Sequence, residues 1–243
     1  MAIALSSLIE SLRQDRRLGP QIVETLYLPE ETARYDELEP PLVEPLAEAL
    51  AASGVERLWS HQVEGLEALG RGEDVLVTTP TASGKSLVFH LPVLQEAARG
   101  GLGKALCLFP LKALGQDQKS KLDQLARAAG LEGPDCRISI YDGDTPRAER
   151  QAILADPPRV VISNPDMLHL GLLPNWQKWT PFLERLEWIV LDELHTYRGI
   201  FGCHFHHVLR RLDRVCCAVG AAPRIVASSA TAQNASSFGE QLT

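Results

Sequence analysis

Val75-Leu-Val-Thr-Thr-Pro-Thr-Ala-Ser-Gly-Lys-Ser86 runs from a short apolar stretch through small residues into Gly84-Lys85-Ser86, where an amphipathic pattern opens. A strand that turns through a glycine into a helix start aims several backbone N–H groups, and the positive end of a helix dipole, at one point. An anion is stabilised there. The loop Thr79, Pro80, Thr81, Ala82, Ser83, Gly84 and Lys85 therefore reads as a phosphate cradle. Lys85 would reach the terminal phosphates of a bound nucleotide, and the Ser86 hydroxyl would be a ligand for Mg²⁺. Thr79 stands where the simplest form of this motif has its first glycine.

About a hundred residues further on, Leu186-Glu-Trp-Ile-Val-Leu191 reads as a buried strand, and it ends in Asp192-Glu193-Leu194-His195. Carboxylates at the C-terminal end of a parallel strand face the crevice in which α/β sheets bind ligands. Asp192 is placed to hold Mg²⁺ and Glu193 to orient and deprotonate an attacking water, with His195 in the same catalytic set. A third apolar run, Arg224-Ile-Val-Ala-Ser228, leads into Ser229-Ala230-Thr231; Ser229 and Thr231 are read as a coupling element. The order of these three motifs is far more specific than any one of them.

Periodicity supplies the frame. A helix is expected over 3–17, then an acidic, proline-broken connector to Pro41, then a helix from Leu42 that stops at Gly54. Strands are expected at 74–78, 104–109, 136–141, 159–163, 186–191 and 224–229, alternating with helical or turn segments. Such alternation implies an α/β fold, a parallel sheet covered on both faces. The expected domains are a helical, acidic extension over 1–41 and one α/β domain over 42–243.

The chain has 243 residues, enough for one large domain, and 45% of them are apolar, without a run near the roughly 18 needed for a membrane span. With no signal-peptide pattern at Met1, a cytoplasmic location is expected. Five cysteines lack any C-x-x-C pair and read as reduced core or helix residues. A net charge of −7 works against nucleic-acid binding, but the acid is concentrated between Glu24 and Glu48. The motif-bearing part carries Lys112, Lys119, Lys121, Arg147, Arg150, Arg198, Arg210, Arg211 and Arg214, so basic rims are available. His204, His206 and His207 have no partner at ligand spacing and are read as structural or solvent-facing rather than metal-binding. Trp176 and Trp179 are read as a packed helix edge rather than a base-stacking platform.

The remaining blocks carry a family resemblance over roughly Leu42 to the end. Together with the phosphate loop, Asp192-Glu193-Leu194-His195 and Ser229-Ala230-Thr231, the chain resembles the DEAD/DEAH-box helicases of superfamily 2. Trp59-Ser60-His61-Gln62 is similar to the adenine-reading segment, with Gln62 as the base contact. Phe109-Pro-Leu-Lys-Ala-Leu-Gly-Gln-Asp-Gln118, Tyr141-Asp-Gly-Asp-Thr-Pro146 and Ser163-Asn-Pro-Asp-Met-Leu-His169 resemble the successive strand-contacting blocks. Gly115 departs from the alanine common in relatives. The wording, with His195-Thr-Tyr-Arg-Gly199, is closest to the RecQ-related Hrq-type family, whose full-length members carry a C-terminal cysteine cluster.

The resemblance implies a RecA-like P-loop domain with the Ser-Ala-Thr strand between the P-loop strand and the Asp-Glu strand. It implies ATP and Mg²⁺ as cofactors and single-stranded or partly duplex DNA as partner, held through Lys112, Gln116, Gly143, Asp144, Thr145, Asn164 and Asp166. It also implies a second RecA-like domain, in cis or trans, with 3′-to-5′ movement on DNA. The alternative left open is an isolated nucleotide-dependent binding module with little turnover. The role of Arg198 is open between the γ-phosphate region, nucleic acid and a neighbouring carboxylate.

Overall fold

The structure is a computed structural model and describes residues 5–26, 32–80, 83–133 and 136–230. They fall into two compact units, Met1–Ala33 and Arg34–Thr243. In the first, helix α1 covers Leu5–Gln14, shorter than the expected 3–17. The cause is local: the Asp15 carboxylate accepts the backbone N–H groups of Arg17 and Leu18, both at 2.8 Å, and bends the chain into a turn before Gly19-Pro20. No side chain of α1 is buried.

The second unit is built on a six-stranded sheet in the order β1-β6-β5-β2-β4-β3, with every pairing parallel. Its strands are β1 (Val75–Thr78), β2 (Lys104–Leu108), β3 (Ile138–Ile140), β4 (Val160–Ser163), β5 (Leu186–Leu191) and β6 (Arg224–Ser229). All six expected strands are present, and β6 lies between β1 and β5 as the resemblance implied. The fold is RecA-like.

Side-chain alternation divides the core. Along β5, Trp188 and Val190 enter one apolar cluster while Ile189 and Leu191 enter the other; along β2, Ala105 and Cys107 oppose Leu106 and Leu108 in the same way. The first cluster is closed by α2 (Glu44–Ala52), α3 (Ser60–Gly70), α4 (Ser86–Ala98) and α5 (Lys112–Ala128). The second takes in Ile153 of α6 (Arg147–Ala155), Trp179 and Phe182 of α8 (Trp176–Leu183), and Phe205, Val208 and Leu212 of α9 (Gly199–Val219). Between them, α7 (Pro165–Met167) continues into a wide turn over Leu168–Leu172. Each fully buried large apolar side chain contributes about 1.5–3 kcal/mol. With both faces of the sheet committed to that burial, polar chemistry is confined to its edges.

Trp179 is fully buried, in keeping with a packing role, and Cys107, Cys136 and Cys216 are buried free thiols. Burial pushes the Cys107 thiol up to about 12. Gly54 closes α2 at φ +90°, a conformation that favours glycine. The acidic stretch from Arg34 onward lies in the second unit: Ser60 N–H donates to Arg34 O at 2.9 Å, and Tyr35 bridges Trp59. Among the described residues no helix is long and apolar enough to cross a membrane.

Candidate nucleotide and nucleic-acid site

Parallel pairing brings the C-terminal ends of all six strands to one edge, and every motif read from the sequence begins at such an end except Trp59–Gln62, which opens α3. The phosphate loop leaves β1 after Thr78 and enters α4 at Ser86. Gly84 sits at φ +71°, a conformation that favours glycine, and a Cβ there would lie 2.5 Å from Gln62 Nε2, which would have to shift. Lys85 Nζ folds back to donate to Thr79 O at 2.7 Å and Pro80 O at 2.8 Å. Both acceptors are neutral carbonyls, against which phosphate oxygens compete well because charge-assisted hydrogen bonds are roughly twice as strong. Thr79 Oγ1 and Ser83 Oγ are 2.6 Å apart. Thr81 and Ala82 lie outside the described residues.

Gln62, read as a base contact, is almost fully buried. Its Oε1 accepts the N–H of Trp59 at 2.9 Å, and its Nε2 donates to Gly84 O at 2.9 Å. The side chain thus joins the start of α3 to the phosphate loop, a bracing contact that the sequence did not show. His61 adds a second tie, its Nε2 3.1 Å from Ser83 O.

Across β6 from the loop, Asp192 Oδ1 accepts the N–H of Glu193 at 2.9 Å and the hydroxyl of Ser228. Of the two residues read as the coupling element, Ser229 donates its Oγ–H to Ala230 O at 3.0 Å, and Thr231 lies outside the described residues. Register explains why Ser228 reaches the acid. Leu191 pairs with Ala227 and Val77 with Ser228, so Ser228 follows directly in the rung beside Asp192, and alternation sends Ser229 to the opposite face. Counting registers between two unaligned strands was the missing signal.

Glu193 has φ +52° and ψ +47°, a left-handed backbone that costs a non-glycine residue on the order of 1–3 kcal/mol. His195 Nδ1 lies 3.2 Å from Glu193 Oε2, without the geometry of a hydrogen bond. Beneath them, the fully buried Tyr197 ring stacks on Phe205 and Phe201 at centroid distances of 4.4 and 5.5 Å. Burial, reinforced by the charges of Asp192 and Glu193, holds its phenol in the neutral form well above the usual range.

The three strand-contacting blocks follow β2, β4 and β3 and meet around one shallow depression lined by Leu111, Lys112, Gly115, Asp142, Ser163 and Asn164. At Gly115 a Cβ would come within 3.1 Å of Ile162 Cγ2, a close contact that a small shift of that side chain would relieve. The Asp142–Thr145 turn is internally locked. Asp142 Oδ1 accepts the N–H groups of Asp144 and Thr145 at 2.9 and 3.0 Å, and Arg150 clamps the carbonyls of Asp142, Gly143 and Thr145 at 2.8–2.9 Å. Lys112 Nζ pairs with Asp144 Oδ2 at 2.6 Å. Asn164 Oδ1 caps α7 by accepting Met167 N–H at 2.9 Å. Lys112, Gln116, Gly143, Asp144 and Asp166 are exposed, whereas the Thr145 side chain is turned inward onto Asp142.

Among the described residues no group of His, Cys, Asp and Glu forms a metal-holding cluster, His204 and its neighbours included. His204 instead packs edge-on against His169, ring centroids 4.9 Å apart. Arg198 is exposed at the entry to α9.

Comparison with known proteins agrees with this geometry. The model of the DEAD/DEAH box helicase family matches residues 59–238. An uncharacterized ATP-dependent helicase of Bacillus subtilis, YprA, is 43% identical over 88% of this chain and 29% of its own length. The ATP-dependent helicase hrq1 of Schizosaccharomyces pombe is 37% identical over 96% of this chain and 22% of its own. Among solved structures, the helicase MrfA bound to DNA and AMPPNP superimposes with a TM-score of 0.89 at 39% identity, covering 99% of this chain and 33% of that one. The chain therefore spans about a fifth to a third of the length of these relatives. By sequence and by structure, it belongs to the DEAD/DEAH box helicase family.

Proposed function

We propose that this chain is the ATP-binding first motor domain of an ATP-dependent DNA helicase, working when joined to a second RecA-like domain. One observation carries the reading: the phosphate loop, the Asp192–Ser228 pair and the three strand-contacting blocks occupy adjacent stretches of a single sheet edge. A nucleotide and a polynucleotide held there are linked through the short strands β6, β5 and β2. The names of the relatives support it, since YprA and hrq1 are called ATP-dependent helicases and MrfA was solved with DNA and AMPPNP.

In this reading Lys85 leaves the carbonyls of Thr79 and Pro80 for the β- and γ-phosphates of ATP, while backbone N–H groups at the start of α4 face the same charge. Ser86 and Asp192 are the residues that would hold Mg²⁺. The donor set fits, as both are hard oxygen ligands. The ion would supply neutralisation of phosphate charge. Glu193, set forward by its left-handed backbone, orients and deprotonates the attacking water, and His195 stands against its carboxylate. Ser228, bonded to Asp192 from a strand that also pairs with β1, transmits the state of the γ-phosphate to the sheet edge. Polynucleotide is held by Lys112, Gln116, Gly143, Asp144, Asn164 and Asp166 through its backbone, which makes binding tolerant of sequence. DNA as the substrate and 3′-to-5′ movement rest on the family.

The test is Mg²⁺-dependent binding of ATP by calorimetry and of single-stranded DNA by fluorescence anisotropy. ATP binding that is equal in the chain and in its Lys85→Ala variant overturns the nucleotide half. DNA binding that ignores salt, or demands one sequence, overturns the other half.

A further inference from the structure

Helix α9 carries a charge pattern that neither the ATP site nor the strand-contacting blocks use. At about 100° per residue, His204, His207, Arg210, Arg211 and Arg214 fall within roughly a third of the helix circumference. His204, His207, Arg210 and Arg214 are exposed and Arg211 is half-buried. Among the described residues no carboxylate lies within ion-pair distance of any of the three arginines. Asp213, the acid nearest in sequence, points off the arc. In a chain of net charge −7 this concentration of positive charge is local and one-sided.

The face is also continuous with the third strand-contacting block. His169, five residues beyond Asn164, is carried by the wide turn Leu168–Leu172 onto α9. There its Nδ1 accepts from Arg211 Nη1 at 2.7 Å, and its ring packs edge-on against His204. Arg211 is thereby partly ordered before any partner arrives, which reduces the side-chain entropy lost on binding. We propose that this face of α9 is a second contact surface for the DNA phosphate backbone, continuing the track of the Asn164–Asp166 block through His169 and down the flank of the domain. The inference rests on the reading that those blocks hold DNA.

Dimensions and chemistry fit that partner. From His204 to Arg214 the helix rises about 15 Å at 1.5 Å per residue. One DNA strand carries roughly four phosphates over that length, at about 3.4 Å each. The cations are arginines, whose planar fork pairs two phosphate oxygens at once. An acidic protein surface would satisfy the charge, but it would not explain the continuity with the strand-contacting block.

The test uses the 243-residue chain with Arg210→Gln, Arg211→Gln and Arg214→Gln together, and a second variant with lysine at all three positions. Binding of a single strand and of a strand bearing a duplex arm is followed by anisotropy between 50 and 200 mM salt. Loss of three phosphate contacts lowers the slope of log affinity against log salt by about 2, at roughly 0.7 per contact. We expect that drop in the glutamine variant, recovery of most of it in the lysine variant, and unchanged ATP affinity and melting temperature in both. An unchanged slope in the glutamine variant, with Lys112→Ala still weakening binding, overturns this inference while leaving the proposed function intact. A lowered slope that lysine does not restore also overturns it, since the slope counts neutralised phosphates and lysine carries the same charge. Failure of the unaltered chain to bind DNA at all removes the underlying reading itself.

Discussion

The two halves of the sheet edge hold their functional groups in opposite ways. On the β1–β6–β5 side, Lys85 rests on two neutral carbonyls, Asp192 on one hydroxyl and one N–H, and Glu193 on a left-handed backbone. On the β2–β4–β3 side, the Asp142–Thr145 turn is closed by its own carboxylate and clamped by Arg150, and Asn164 is fixed as a helix cap. In the proposed function the first arrangement exchanges partners when a phosphate enters, and the second is a platform that keeps its shape. A nucleotide switch needs groups that change partners, whereas a track for a repeating backbone needs contacts that stay the same at every step.

The largest effect should come from the exchangeable side. Lys85→Ala removes the one side-chain cation on the loop, and losing charge-assisted contacts of about 1.5–3 kcal/mol each should weaken ATP binding by at least a hundredfold. DNA binding without nucleotide should change by less than twofold. Calorimetry and anisotropy on the same preparation check this; a parallel loss of DNA affinity would break the separation of the halves.

Next is the platform. Thr145→Val deletes a buried hydroxyl that serves Asp142 Oδ1 and accepts the Asp142 N–H. Leaving those groups unpaired should cost about 1–3 kcal/mol of stability, read as a lower urea midpoint at unchanged slope. ATP affinity at temperatures well below melting should be retained.

Ser228→Ala tests the register within the exchangeable half. Asp192 loses a donor, so Mg²⁺-dependent nucleotide binding should fall about five- to tenfold, while Ser229→Ala should change it by less than twofold. Equal effects of the two substitutions would contradict the register in which Ser228 faces the acid. The smallest effect is expected at Lys112→Ala, whose ion pair with Asp144 is exposed and worth under about 1 kcal/mol. DNA affinity should drop two- to fivefold and the salt slope by about 0.7, with no change in ATP binding.

The sequence by itself determined the strands, their alternation with helices and the chemistry of each strand end. Runs such as Leu186–Leu191 are apolar at every position but Glu187 because a parallel strand is buried on both faces, and Gly84-Lys85-Ser86 can make a phosphate cradle only after such a strand. The short reach of α1 was not legible, because the Asp15 side chain competes with the helix for backbone N–H groups. Tertiary structure alone decided which side chains meet. Gln62 turns to the loop it braces, Thr145 turns inward, Ser228 rather than Ser229 finds Asp192, and His169 joins the third block to the basic face of α9. Apart from Thr145, whose partner Asp142 is in the same turn, each of those pairings joins residues that the local pattern does not relate. They follow from strand register and from the way α3 and α9 lie against the sheet, which are fixed by long-range burial.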